Sequence, residues 1–249
     1  TFAEDNKDSQ PTSSGSYVGT PPDFIIYGIA GVKGVDKQNV NAINDALATA
    51  LVNGEAVGTQ PKLQAVVDAY NAVLSMANGQ INATATLPTA QQYTLIGLTG
   101  LESKDPQDPQ AKLLSAKVRL LGDVIDRKSF GDVDTIKELQ SLLNNVAAVI
   151  NAVNGTQLTK EQLDALGLNG VTTANLALVL AAIDQTSDDG TGIDTLTELQ
   201  NLIDTINGGS DARSALDMLV KYAQDNGGVR PNEFNYITAG VSSPAGGKV

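Results

Sequence analysis

Four aspartates in "DQTSDDGTGID", Asp184, Asp188, Asp189 and Asp194, stand around two glycines. Hard oxygen ligands on a flexible turn are what calcium coordination needs. The spacing departs from the D-x-[DN]-x-[DN]-G pattern of EF-hand loops, and the matching loop earlier in the chain, "DRKSFGDVD", carries Arg127 and Lys128 in place of acids. The stretch therefore reads first as a solvated acidic loop leading into the next helix, with calcium on Asp184, Asp188, Asp189 and Asp194 as the metal expectation. Other chemistry is narrowly bounded. The sequence has no His and no Cys, which removes the commonest general base, a thiolate nucleophile and zinc–thiolate sites. A paired-carboxylate hydrolase needs two acids in unlike environments within one concave site, whereas the acids here are dispersed along the chain. The expectation is a protein that is not an enzyme and has no cofactor other than possible calcium.

Charge and composition narrow the partners. A formal charge of −12, with 16 Lys and Arg against 28 Asp and Glu and no basic run, argues against nucleic acid, because phosphate neutralisation needs clustered cations. No apolar run approaches the roughly 18 residues that span a bilayer. Hydrophobic residues make up 41% and aromatics 4% of 249 residues, a mixture rich in Ala, Leu, Val and Ile that favours helices packed through small aliphatic side chains. The chain opens at Thr1 without a signal-peptide pattern, so the expectation is a trimmed chain or a piece of a longer one.

The elements that position these residues recur. Eight residues before Gly31, Gly97, Gly167 and Gly240 stand Asp23, Thr89, Thr159 and Asn232, all good helix N-caps. Gln92 and Gln162 complete capping boxes with Thr89 and Thr159, and each copy reads as a two-turn helix stopped by glycine. A second helical segment opens near Asp36, Asp108 or Thr172, with Leu113, Leu114, Val118, Leu121 and Val124 on one face of the middle copy. The third segment is "DTIKELQSLLNNVAAVI" in one copy and "DTLTELQNLIDTI" in another, capped by Thr135 with Glu138 and by Thr195 with Glu198. The first copy keeps Thr59 and the Leu-Gln pair. Its apolar stripe, Leu63, Val66, Val67 and Tyr70, matches Leu139, Leu142, Leu143 and Val146, and then Leu199, Leu202, Ile203 and Ile206.

The fold expectation is all-α: tandem three-helix repeats in an elongated array with extended N- and C-terminal segments. Residues 1–21 form a polar extension with too little apolar content to fold alone. Repeats occupy 22–86, 87–155 and 156–230, the third with an extra helix capped by Ser210, and 231–249 is a partial fourth repeat. The pattern "L-T-x-x-x-Y/L-x-x-x-G-L/V-x-G-V-T-x-x-N-L-A", followed by "D-T-L-x-E-L-Q-x-L-I-D", resembles helical tandem repeats of very large secreted or surface proteins of Gram-negative bacteria, adhesin-like and often carrying Ig-like domains. That resemblance is strongest over 158–206. It implies a secreted or cell-surface location and a structural or adhesive role, and it transfers no catalytic residue.

Two functions follow. The first is a non-enzymatic structural subunit of an extracellular filament, sheath or surface layer. It would assemble head to tail with copies of itself through its terminal segments, with Phe2, Tyr17, Phe234, Tyr236, Ile237 and Val241 as the contacts. The alternative is a ligand-binding or spacer module of a giant adhesin, meeting a surface receptor or matrix; its aromatic cluster would be "KYAQDNGGVRPNEFNY", Lys221 to Tyr236, unless those rings simply pack the last helix. The triplets at Asn82 and Asn154 match the N-glycosylation pattern, which is common by chance.

Overall fold

A computed structural model describes residues 2–7, 17–78, 86–102, 109–225, 231 and 236. It is helical, with no strand among the described residues. The α-helices in chain order are α1 (Phe2–Asn6), α2 (Phe24–Ile29), α3 (Val40–Leu47), α4 (Gln60–Met76), α5 (Ala90–Leu95), α6 (Pro109–Asp126), α7 (Ile136–Asn151), α8 (Lys160–Ala165), α9 (Leu176–Asp184) and α10 (Leu196–Asp225). Short 3-10 turns at Phe130–Asp132 and Ala152–Asn154 flank α7.

The three six-residue helices α2, α5 and α8 are built by local chemistry at both ends. Asp23, Thr89 and Thr159 each accept from the backbone N–H three residues on, at 3.0, 3.2 and 3.3 Å. At the other end Gly31 and Gly97 hold φ of +77° and +105°, a conformation that L side chains avoid. It lets Val32 N–H reach Tyr27 O and Leu98 N–H reach Tyr93 O, and Leu168 N–H makes the same bond to Leu163 O. These are Schellman closures, which satisfy carbonyls left over at a helix end.

The longer helices bury the expected stripes: Val66, Val67 and Tyr70 on α4, Leu139, Leu142, Leu143 and Val146 on α7, Leu199 and Ile203 on α10, with Leu63, Leu202 and Ile206 partly buried. On α6, Leu113, Leu121 and Val124 are buried, Leu114 and Val118 only partly, and Leu120 and Ile125 are also in the core. Helix α4 packs on α5, α7 on α6 and α8, and α10 on α9 and α6, while α3 touches both α4 and α7. One apolar core therefore runs through the three stretches.

Four features differ from the sequence reading. The second helices start at Val40 and Leu176, four residues after Asp36 and Thr172; those two residues instead cap the intervening turn, accepting from Gln38 and Asn39 N–H and from Asn175 N–H respectively. Thr59 occupies an N-cap position without making the side-chain bond. Ser210 caps no separate helix, because α10 runs unbroken from Leu196 to Asp225. Gly208 and Gly209 weaken a helix by about 1 kcal/mol each but set no steric bar to it.

The N-terminal region is not merely an extension either. Phe2–Asn6 is a helix against α3, pinned by a fully buried Asn6 that donates to Phe2 O and Val18 O and accepts from Val18 N–H at 2.7 Å. The Glu4 carboxylate accepts from Gly54 N–H, and the Phe2 and Tyr17 rings meet edge to face at 5.3 Å.

Candidate functional site

The four aspartates of the acidic loop do not converge. Asp184 and Asp188 are exposed. Asp189 accepts from the Thr191 hydroxyl at 2.7 Å and from Thr191 N–H at 3.0 Å, and these bonds hold its carboxyl down at about 2. Asp194 turns inward, 6% exposed, to an ion pair with Arg119 at 3.2 Å. Burial raises its carboxyl above the ordinary value, Glu198 adds to the rise and Arg119 opposes it. No three acidic side chains among the described residues are placed to hold a metal ion. A cleft of about 380 Å3 opens between α4 and α5, and of the described residues lining it Asp126 alone is a carboxylate.

The side chains that do gather form two recurring constructions. The first uses the glutamine of each Leu-Gln pair. Gln64 accepts from Lys33 N–H at 2.8 Å and donates to Lys33 O at 2.9 Å. Gln140 does the same with Thr99 at 3.0 and 3.2 Å, and Gln200 with Asn169 at 3.0 and 3.0 Å. Each glutamine also donates to a residue one turn on, Asp68, Asn144 or Asp204, so both N–H donors of the amide are used and its oxygen accepts as well. The clasp fixes the glycine turn after each short helix onto the long helix. In the first and third stretches an asparagine pair reinforces it: Asn39 and Asn71 both donate to Gly34 O, and Asn175 and Asn207 to Gly170 O. Ala147 stands at the corresponding place in α7.

The second construction joins neighbouring stretches. Asp45, in the last turn of α3, accepts from Ile136 N–H at 2.6 Å, and Asp123, in the last turn of α6, accepts from Leu196 N–H at 2.6 Å. Ile136 and Leu196 are the first residues of α7 and α10, whose leading N–H groups lack intrahelical partners. A carboxylate there also meets the favourable end of the helix dipole. Each long helix is thus capped twice, by its own Thr135 or Thr195 and by an aspartate from the preceding stretch. In the third stretch, counting between the buried pairs Ile43/Leu47, Leu121/Ile125 and Val179/Ile183 places Ala181 at the aspartate's position.

Sequence reading singled out the Leu-Gln pair but not its partner, and missed Asp45 and Asp123 altogether. The available signal was an acid in the apolar runs "INDALATA" and "LLGDVID", since a carboxylate on a buried face needs a partner. Of the expected assembly contacts, Phe2 and Tyr17 pack on each other, Tyr236 is half-buried, and Phe234, Ile237 and Val241 lie outside the described residues, as do Asn82, Asp108, Asn232 and Gly240. Exposed apolar residues among the described ones occur at Ile25, Ile26 and Ile29 on α2, where 79% of Ile29 is accessible, at Leu178 on α9, at Leu216 and Val220 on α10, and at Val18 and Leu51 between helices. No helix among the described residues is long and apolar enough to cross a membrane. Comparison with protein-family models, curated proteins and solved structures found no match to this chain.

Proposed function

We propose that this chain is a non-catalytic structural module of three tandem three-helix units, at 22–86, 87–155 and 156–230, forming an elongated array that assembles with copies of itself. The observation carrying this reading is the recurrence of the glutamine clasp at Gln64, Gln140 and Gln200, each on the residue two after a turn glycine, Lys33, Thr99 and Asn169. A side chain that both donates to and accepts from one backbone position of a turn, holding it on a helix, serves architecture, and the same fittings at equivalent places are what stacked units need. Apolar exposure on α2 and α10 supplies contact surface at the first unit's opening helix and at the last long helix, and a head-to-tail contact between unlike surfaces propagates. Because Ala181 replaces the joining aspartate, a copy added after the third unit would rely on apolar contact rather than that hydrogen bond. A secreted or cell-surface setting follows from the resemblance to surface-protein repeats. Light scattering across a concentration series, with electron microscopy of the same samples, tests the proposal. Mass should grow with concentration into filaments or lattices, and Ile26→Asp with Ile29→Asp should disperse them. A single monomer mass at every concentration would refute self-assembly.

A further inference from the structure

The two aspartate joints are alike in hydrogen bonding and opposite in charge balance. At the first, Asp45 is 4% exposed and accepts from Ile136 N–H at 2.6 Å. Asp134 and Glu138 stand two residues either side of Ile136 in the chain and both raise the Asp45 carboxyl, while the Tyr17 hydroxyl lowers it; Tyr70 on α4 donates to Val133 O at 3.3 Å. On the N-terminal segment packed on α3, Glu4 pairs with Lys7 at 2.5 Å and Asp5 is exposed. None of Asp45, Asp134 and Glu138 has an ion-pair partner among the described residues. At the second joint Arg127 lies 3.9 Å from Asp123 and 3.3 Å from the Thr197 hydroxyl, and Arg119 lies 3.2 Å from Asp194.

We propose that the joint between the first and second units is a proton-operated latch: the Asp45, Asp134 and Glu138 cluster takes up a proton to seat α3 firmly on the start of α7, and the joint slackens as that proton leaves. The second joint, where Arg127 lies beside Asp123 and Arg119 beside Asp194, responds less, although burial and Glu198 raise the Asp194 carboxyl too. The electrostatics run the same way. Burial pushes the Asp45 carboxyl up, Glu138 and Asp134 push further, and the Ile136 N–H and Tyr17 hydroxyl only partly offset them. Asp134 is raised by burial and then by Glu138. Tyr17 is raised to about 12 by burial and by Asp45, so it stays a neutral donor. A carboxyl raised on folding binds its proton more tightly in the folded state. Its stabilisation is complete below the ordinary carboxylate value of about 4 and is lost as pH climbs through the raised value. The latch therefore closes on acidification from neutrality, and it acts whether or not the chain polymerises.

Amide hydrogen exchange of the intact chain at pH 7 and pH 4, corrected for the intrinsic pH dependence of exchange, reads both joints at once. Protection at Ile136 should rise at the lower pH by more than protection at Leu196. Asp45→Asn, which keeps an acceptor for Ile136 N–H without the charge, should give high protection at both pH values. Equal responses at Ile136 and Leu196, or a full pH response in Asp45→Asn, would overturn the proposal. If Asp45→Asn does not fold, Asp134→Asn removes repulsion without touching the Ile136 bond; it must shrink the response, and an unchanged response counts against the latch.

Discussion

Two buried tyrosines at equivalent places offer a controlled comparison. Tyr27 on α2 donates to Asn44 Oδ1 at 2.7 Å, and Asn44 in turn donates to Pro22 O at 2.8 Å. Tyr93 on α5 is fully buried, yet its hydroxyl has no hydrogen-bond partner among the described residues. Counting along α6 places Gly122 where α3 has Asn44, and a Cβ on Gly122 would lie 2.8 Å from Leu87 Cδ2, so a leucine fills the space an asparagine would need. Tyr27→Phe removes one bond and leaves Asn44 Oδ1 buried and unpaired, a loss of about 1–3 kcal/mol. Tyr93→Phe removes a group already unpaired; relief of its desolvation, set against a small void, should leave stability unchanged or raise it by about 1 kcal/mol. A gap of about 2 kcal/mol separates the variants, worth roughly 4–8 °C in melting temperature for a chain of this size. With no Trp in the sequence, far-UV circular dichroism during thermal and urea unfolding is the suitable readout. If Tyr93→Phe destabilises as much as Tyr27→Phe, the Tyr93 hydroxyl is satisfied and the equivalence of Gly122 with Asn44 has been misread.

Capping should divide the three long helices: Thr135→Ala and Thr195→Ala each lose about 1 kcal/mol, whereas Thr59→Ala, which breaks no cap bond, stays within about 0.5 kcal/mol in urea unfolding. The glycine turns should divide similarly. Gly167→Ala, with φ of +86° and no atom within 4 Å of the new Cβ, should lose about 1–2 kcal/mol from backbone strain alone. Gly97→Ala should lose about 1–3 kcal/mol more in the same unfolding experiment, because its Cβ would sit 2.9 Å from Thr49 Cβ and Cγ2, and Thr49 is held by its bond to Ala46 O.

What the sequence made legible is what neighbouring residues decide. Helices α2, α5 and α8 were readable because a cap, two turns and a glycine all fall within nine residues, and the apolar stripes of α4, α7 and α10 because burial imposes a 3.6-residue period. The start of α3 was misplaced because Asp36 can cap a turn as well as a helix, and α10 was divided because Gly-Gly looks like punctuation. The joints were not readable. Asp45 and Asp123 bond to amides 91 and 73 residues away, and no local pattern identifies a partner at that distance. Nor could composition tell that Asp194 would meet Arg119, 75 residues away in sequence.

The order of residues along the chain matters for how those joints form. In both, the accepting carboxylate precedes the amide it serves, Asp45 before Ile136 and Asp123 before Leu196. During synthesis from the N-terminus, α3 and α6 are therefore available as platforms before α7 and α10 emerge. Each new long helix can begin on a carboxylate already in place, which lowers the nucleation penalty of its first turn. A defect at Asp123 would then be felt one unit downstream: α6 would form normally while α10 starts late, exposing Leu199 and Ile203 to neighbouring nascent chains during that delay.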